Sequence, residues 1–131
     1  DENGKPLQWS SFNVAPVDGC SSLLPRSKEF DGGKFEGWIQ DLCVKTLEQR
    51  FVPCVSLETV VGEWLQGRTI DFLKIDAQGF DYNVFKSLGS QMKHVKRAIL
   101  EVQIQPMYQG PSCVEVMRGM KSFGFEVEAP K

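Results

Sequence analysis

Two acidic segments of the sequence have the residue types and spacing that a ligand site needs. Asp76, Gln78, Gly79 and Asp81 come directly after a short apolar run, and Glu101 lies within the next apolar run. In an open parallel sheet, ligands bind beyond the carboxyl ends of the strands. A glycine there lets the backbone approach a ligand closely, and the N-terminus of the following helix offers unpaired N–H groups. The sequence therefore predicts a ligand site at these positions.

Each acidic residue also has a structural explanation. Asp76 could cap the following helix through the turn, and Asp81 could be an ordinary first-turn acid that the helix dipole favours. An unpaired carboxylate inside an apolar strand is costly, so Glu101 could instead form an ion pair with Lys74 on the neighbouring strand. The residues alone leave both interpretations open.

Strands and amphipathic helices alternate from Phe51 onward, and these elements would position the acidic residues. Helix signals stand at both ends of each helix: Ser56 is a predicted N-cap, and Ser112 with Glu115 forms the S-x-x-E capping-box pattern. Glycines follow each helix, as is common at helix ends. Predicted strands cover 51–55, 70–75, 98–104 and 125–127, and predicted helices 56–66, 80–88 and 112–123. The apolar face of the first helix would comprise Leu57, Val60, Val61, Trp64 and Leu65.

Residues 1–35 are expected to be mostly irregular, with a short strand from Trp9 to Val14 and a long loop from Val17 to Gly33. The segment from Trp38 to Leu47 has no clean period, so its type stays open. We expect one domain over residues 1–131 with an α/β core over 51–127. Strands that alternate with helices of about ten residues indicate a parallel sheet with flanking helices.

The composition excludes several classes of protein. A net charge of −2 and a pI near 5.4 give no basic surface for nucleic acid. No apolar stretch approaches the roughly 18 residues of a transmembrane helix, so a soluble protein is expected.

Metal binding is not expected from the cysteines and the histidine. The four cysteines are widely spaced, and the single histidine, His94, lies between lysines where a solvated face is expected. This pattern does not suit a zinc site. Cys54 and Cys113 lie in apolar patterns, so buried thiols in a reducing compartment are expected, although the sequence does not exclude a disulfide.

Three stretches of the sequence resemble the FkbM-type methyltransferase family. They are FVPCVSLETVV from Phe51 to Val61, IDFLKIDAQGFD from Ile70 to Asp81, and AILEVQ from Ala98 to Gln103, followed by Tyr108 and by Gly124–Phe125. A looser likeness covers Phe12 to Leu23. The resemblance extends over most of residues 10–127.

The resemblance implies a Rossmann-like, class I S-adenosylmethionine-dependent methyltransferase fold that acts on hydroxyl oxygens. It would place Asp76 beside the methyl donor or the acceptor hydroxyl, with Glu101 flanking the same pocket. Gln78, Gly79 and Asp81 would bind the cofactor together with Asp76. A carboxylate near the acceptor could act as a general base or orient the hydroxyl for in-line attack.

The sequence also departs from the family pattern. It has no acidic-x-Gly-x-Gly loop and no acidic residue at the end of a second strand, and Asp81 replaces the more usual glutamate. The resemblance thus implies a partial Rossmann-like sheet without the first strands. We therefore expect a non-catalytic structural or docking subunit, whose exposed sheet edges other protein subunits would cover. The alternative is a fragment of an active S-adenosylmethionine-dependent O-methyltransferase.

Overall fold

A computed structural model describes residues 8–29, 42–43 and 45–128. The strands are β1 (Gln8–Val14), β2 (Glu48–Cys54), β3 (Leu73–Ile75) and β4 (Ala98–Leu100). The helices are α1 (Leu57–Thr59), which continues as a π-helical turn (Val60–Trp64), α2 (Asp81–Lys86) and α3 (Cys113–Ser122), with 3-10 turns at Asp18–Cys20 and Gly89–His94. Within this part of the chain, no helix has the length and hydropathy of a membrane span.

The strands β1 and β2 form a separate antiparallel sheet, in which Gln8 pairs with Cys54 and Val14 with Glu48. The predicted strand at 9–14 is therefore confirmed, and the predicted strand at 51–55 starts earlier than expected. Its partner differs from the prediction, because β2 pairs with β1 and does not join the parallel sheet. Each strand of a two-stranded sheet keeps a free edge, which suits a strand that contains Pro53.

The strands β3 and β4 form the expected parallel pair, in which Leu73 pairs with Ala98 and Ile75 with Leu100. Helix α2 and the 3-10 turn after it connect the two strands, as a parallel crossover requires. Both strands are shorter than predicted: only an isolated bridge from Ile70 to Val95 precedes the pair, and residues after Leu100 leave the sheet. The α/β class is thus shown, with one parallel pair and one antiparallel pair.

The main core lies between the β3–β4 pair and the helices. Phe85 and Leu88 are completely buried in it, and the ring of Phe125 meets Phe85 edge-on at 5.3 Å. The prediction of a strand at 125–127 is wrong for the described chain, because this segment packs Phe125 onto the core without pairing to a strand. The other buried members of this core are Val61, Ile75, Val95, Val116 and Met120.

The predicted apolar face of the first helix is only partly buried. Val61 is 2% exposed, whereas Trp64 is 62% and Leu65 is 40% exposed. The cause is the π-helical turn, in which the Leu65 N–H donates to the Val60 carbonyl five residues earlier. A turn of this width rotates the following side chains away from the face that a 3.6-residue period predicts.

The cysteines differ from the predicted set of buried thiols. Cys20 and Cys43 form a disulfide bond, and their Cα atoms lie 5.2 Å apart. Cys54 and Cys113 are free and half-buried. Disulfides persist mainly in oxidising compartments. The Cys20–Cys43 bond therefore argues against the predicted reducing compartment.

Candidate functional site

The turn after β3 has an unusual backbone conformation. Gln78 and Gly79 both have positive φ angles, of 48° and 89°. Gly79 also permits a close approach, since a Cβ atom there would lie 2.9 Å from Cδ2 of Tyr108. A left-handed conformation costs a non-glycine residue such as Gln78 about 1 kcal/mol of conformational free energy. The surrounding contacts must therefore stabilise this turn.

Asp81 joins the turn to the end of the neighbouring strand. Its side chain is 1% exposed, and its two carboxylate oxygens accept the N–H of Ala77 at 3.2 Å and the N–H of Glu101 at 3.0 Å. The first-turn acid of α2 thus fixes the backbone after both parallel strands. Asp81 is a positioning residue in this structure, and a direct contact with a cofactor stays a prediction.

Asp76 lies on the outside of the same turn. Its Oδ2 atom pairs with Nζ of Lys74 at 3.3 Å, and its Oδ1 atom accepts a hydrogen bond from the side-chain Nε2 of Gln78 at 3.1 Å. Helix α2 has no side-chain cap at its N-terminus, so the alternative in which Asp76 caps this helix is wrong. The carboxylate remains exposed to solvent, where a ligand could reach it.

Glu101 directly follows β4, at the carboxyl end of the parallel pair. The structural alternative of an ion pair with Lys74 is wrong, because Lys74 pairs with Asp76. None of the described residues forms a hydrogen bond or an ion pair with the Glu101 carboxylate. Desolvation raises the pKa of Glu101, and the negative charges of Asp76 and Asp81 raise it further, while Lys74 opposes the shift. Glu101 is therefore an unpaired acid that binds a proton more readily than an ordinary glutamate.

A pocket of about 390 Å³ opens beside this carboxylate. It brings together three of the predicted site residues, Gln78, Gly79 and Glu101, while Asp76 and Asp81 do not line it. The remaining wall combines amide and apolar side chains, which suits a ligand with both polar and apolar parts. Its other lining residues are Val102, Gln103, Ile104, Gln105, Met107 and Tyr108.

The sequence-based prediction missed Gln103 as a site residue and did not assign a role to Tyr108. The Gln103 side chain accepts the N–H of Tyr108 at 2.7 Å and donates to the Tyr108 carbonyl at 3.4 Å. This pair of contacts closes the loop that forms the pocket wall and holds the Tyr108 ring against Gly79. The sequence feature that could have indicated this role is the position of Tyr108, five residues after Gln103 at the end of the AILEVQ stretch.

Parallel strands that are joined through a helix, with carboxylates and a pocket at their carboxyl ends, define an α/β domain with a candidate ligand site. The chain belongs to the FkbM methyltransferase family, because the family model described as methyltransferase FkbM domain matches residues 10–127. The resemblance found in the sequence is thus confirmed. Comparisons with curated proteins and with solved structures gave no match.

Proposed function

We propose that the pocket beside β4 is the acceptor side of an S-adenosylmethionine-dependent O-methyltransferase site, with Glu101 as the general base. The unpaired Glu101 carboxylate in the pocket wall is the observation that carries this proposal. A general base works best when its pKa lies near the working pH, and the raised pKa of Glu101 shifts this acid in that direction.

The acidic residues of the turn suit the proposed cofactor in charge, while the acidic-x-Gly-x-Gly loop that would bind the rest of it does not occur in this sequence. S-adenosylmethionine, when bound, supplies an electrophilic methyl group on a sulfonium cation. Asp76 and Glu101 place negative charge at the strand ends, which favours a cationic ligand. Gly79 lets the backbone approach a ligand closely. We assign Asp76, Gln78 and Gly79 to this side of the site, with Asp81 holding their backbone in place.

Proton transfer is the step that this chain would perform with its own side chains. Glu101 would accept the proton of the acceptor hydroxyl, while the amide of Gln78 would orient that hydroxyl. Removing a general base typically lowers a rate by about 10²- to 10⁴-fold. Glu101→Gln keeps the shape of the side chain and removes its ability to accept a proton.

Two measurements test the proposal: calorimetric titration with S-adenosylmethionine, and methyl transfer to hydroxyl acceptors across a range of pH. We expect binding heat from the wild type and from Glu101→Gln, with methyl transfer lost only in the variant. Asp71→Asn is the control, because Asp71 pairs with Lys96 on the surface. No heat with millimolar S-adenosylmethionine would overturn the proposal.

The pH dependence of the same reaction gives an independent test. Because Glu101 must be ionised to act as a base, the rate should rise with pH through its raised pKa. Asp76→Asn removes a charge that raises this pKa, so the midpoint of the profile should move to lower pH. An unchanged midpoint in Asp76→Asn would show that another group controls the rate.

A structural or docking role is the second candidate, and the open face of the β3–β4 pair favours it. Phe72 and Ile99 are each 52% exposed there, and in the described chain β3 and β4 pair only with each other. Exposed apolar side chains beside free strand edges are typical of a surface that another protein covers. We propose a protein subunit with an apolar surface as the partner.

Sedimentation velocity tests the docking role. The wild type should associate as its concentration rises, and Ile99→Lys should remain monomeric because a charge then stands in the apolar face. Lys93→Ala is the matched surface control. A wild type that is folded and monomeric at all concentrations would remove the main support for the docking role, because the exposed apolar face would then be stable without a partner.

A further inference from the structure

The left-handed turn at Gln78 and Gly79 receives support from a distant loop near β1. The buried hydroxyl of Ser22 donates to the Gln78 carbonyl at 2.7 Å. The Tyr108 ring packs against Gly79 from the same side. These two contacts hold the pocket wall in a conformation that the turn itself does not favour.

Tyr108 in turn is held by the disulfide-bonded cysteine of that loop. Its hydroxyl donates to the Cys20 carbonyl at 3.0 Å, and only 4% of the residue is exposed. The guanidinium of Arg26 lies 4.5 Å from the centre of the Tyr108 ring and also donates to the Cys20 carbonyl. The Cys20 carbonyl is thus one of the groups that hold the ring in place, together with the side chain of Gln103.

We propose that the Cys20–Cys43 disulfide, acting through Tyr108, positions the turn at Gln78 and Gly79 and makes the pocket sensitive to redox state. Both residues of the disulfide are buried: Cys20 is 3% exposed and Cys43 is 2% exposed. Tyr108 is the positioning residue that carries the constraint to the turn. The coupling between the disulfide and the turn is inferred from the contacts of Tyr108 and needs no ligand. Only an effect of the redox state on ligand binding rests on the proposed function.

Reduction by a dithiol is the chemical step that would release this constraint. A thiolate of the dithiol attacks one cysteine sulfur, which breaks the Cys20–Cys43 bond, forms a mixed disulfide and releases the other cysteine as a thiolate. The second thiol of the dithiol then attacks its own sulfur in the mixed disulfide, closes a cyclic disulfide and releases the remaining cysteine. The dithiol loses two electrons and two protons, and Cys20 and Cys43 become thiols. The cross-link between residues that are 23 positions apart is then lost, so the Cys20 carbonyl and Tyr108 gain freedom to move.

Hydrogen–deuterium exchange of the oxidised protein and of the protein in dithiothreitol tests the proposal without any ligand. We expect reduction to speed exchange in peptides that cover residues 76–80 by about 5- to 10-fold, the effect of weakening roughly one hydrogen bond. Exchange within α3 should not change. The double variant Cys20→Ser/Cys43→Ser should exchange rapidly at the turn with or without dithiothreitol, whereas Cys54→Ser should respond like the wild type.

Tyr108→Phe tests the link with the disulfide intact. It keeps the ring on Gly79 and removes the hydroxyl, which contacts the Cys20 carbonyl at 3.0 Å and the side-chain oxygen of Gln78 at 3.4 Å. The turn should therefore exchange faster in the oxidised protein, and a smaller effect than that of reduction would assign the coupling to the Cys20 contact only in part. Tyr82→Phe is the matched control, because the Tyr82 hydroxyl lies against Gly119 in α3.

Three outcomes would overturn the proposal. The first is unpaired Cys20 in the unreduced protein, detected by alkylation and mass spectrometry. The second is unchanged exchange at the turn after complete reduction. The third is unchanged exchange in Tyr108→Phe, which also decides the matter if reduction unfolds the whole chain. None of these three outcomes decides whether S-adenosylmethionine binds, which the calorimetric titration tests separately.

Discussion

Replacing Asp81 should destabilise the protein more than replacing any exposed acid. The Asp81 carboxylate is 1% exposed and accepts the N–H groups of Ala77 and Glu101. Asp81→Asn keeps one oxygen acceptor but turns an NH₂ group toward the second N–H. Asp81→Ala removes both acceptors and leaves two N–H groups without partners.

The expected cost follows from these lost contacts. Leaving a buried donor unsatisfied costs about 1–3 kcal/mol. We therefore expect a loss of about 2 kcal/mol for Asp81→Asn and about 4 kcal/mol for Asp81→Ala. Both are large fractions of the roughly 5–15 kcal/mol by which domains are stable.

Urea denaturation followed by circular dichroism measures this effect. With a slope of about 2 kcal/mol per molar urea, the midpoint should fall by roughly 1 M in Asp81→Asn and by roughly 2 M in Asp81→Ala. Asp71→Asn is the control and should leave the midpoint unchanged, since Asp71 pairs with Lys96 at the surface. Equal midpoints for wild type and Asp81→Asn would refute the assignment of Asp81 as the residue that joins the two strand ends.

Two further predictions concern a glycine and a helix cap. Gly79→Ala should cost more stability than Gly124→Ala in the same urea assay, because both have φ of 89° but only at Gly79 would a Cβ meet Tyr108; equal costs would show that Tyr108 does not pack there. Ser112→Ala should cost about 1 kcal/mol by removing the N-cap of α3. The hydroxyl and the backbone N–H of Ser112 donate to the Glu115 carboxylate and lower its pKa below the usual 4.5. The stability from this pairing is therefore present above pH 4.5 and lost as the pH falls through the lowered pKa. The cost of Ser112→Ala should therefore shrink in acid, and a cost that is independent of pH would contradict the capping box.

Features that depend on neighbours along the chain could be predicted from the sequence. Ser112 and Glu115 form both halves of the predicted capping box, and Ser56 caps its helix through the N–H of Thr59. The acidic turn after β3 also lies where the apolar run, the glycine and the helix signal placed it. These features follow from local rules of capping and turn formation, which act over three or four residues.

Features that depend on distant contacts could not be predicted in this way. The pairing of β1 with β2, the bond between Cys20 and Cys43 and the hydrogen bond from Glu101 to Asp81 all join residues about 20 or more positions apart. No periodicity in the sequence encodes which distant groups meet. The π-helical turn that exposes Trp64 likewise breaks the regular period on which the prediction of a buried face depended.

The two acids at the strand ends differ in role because their surroundings differ. Asp81 is buried and each of its oxygens accepts a backbone N–H group, so it holds the backbone of Glu101 in place. Glu101 is unpaired and exposed to the pocket, and the charge of Asp81 contributes to its raised pKa. Asp81→Asn should therefore lower the pKa of Glu101, which the carboxyl carbon of Glu101 would report in an NMR titration. An unchanged pKa of Glu101 in this variant would mean that the two acids are not coupled.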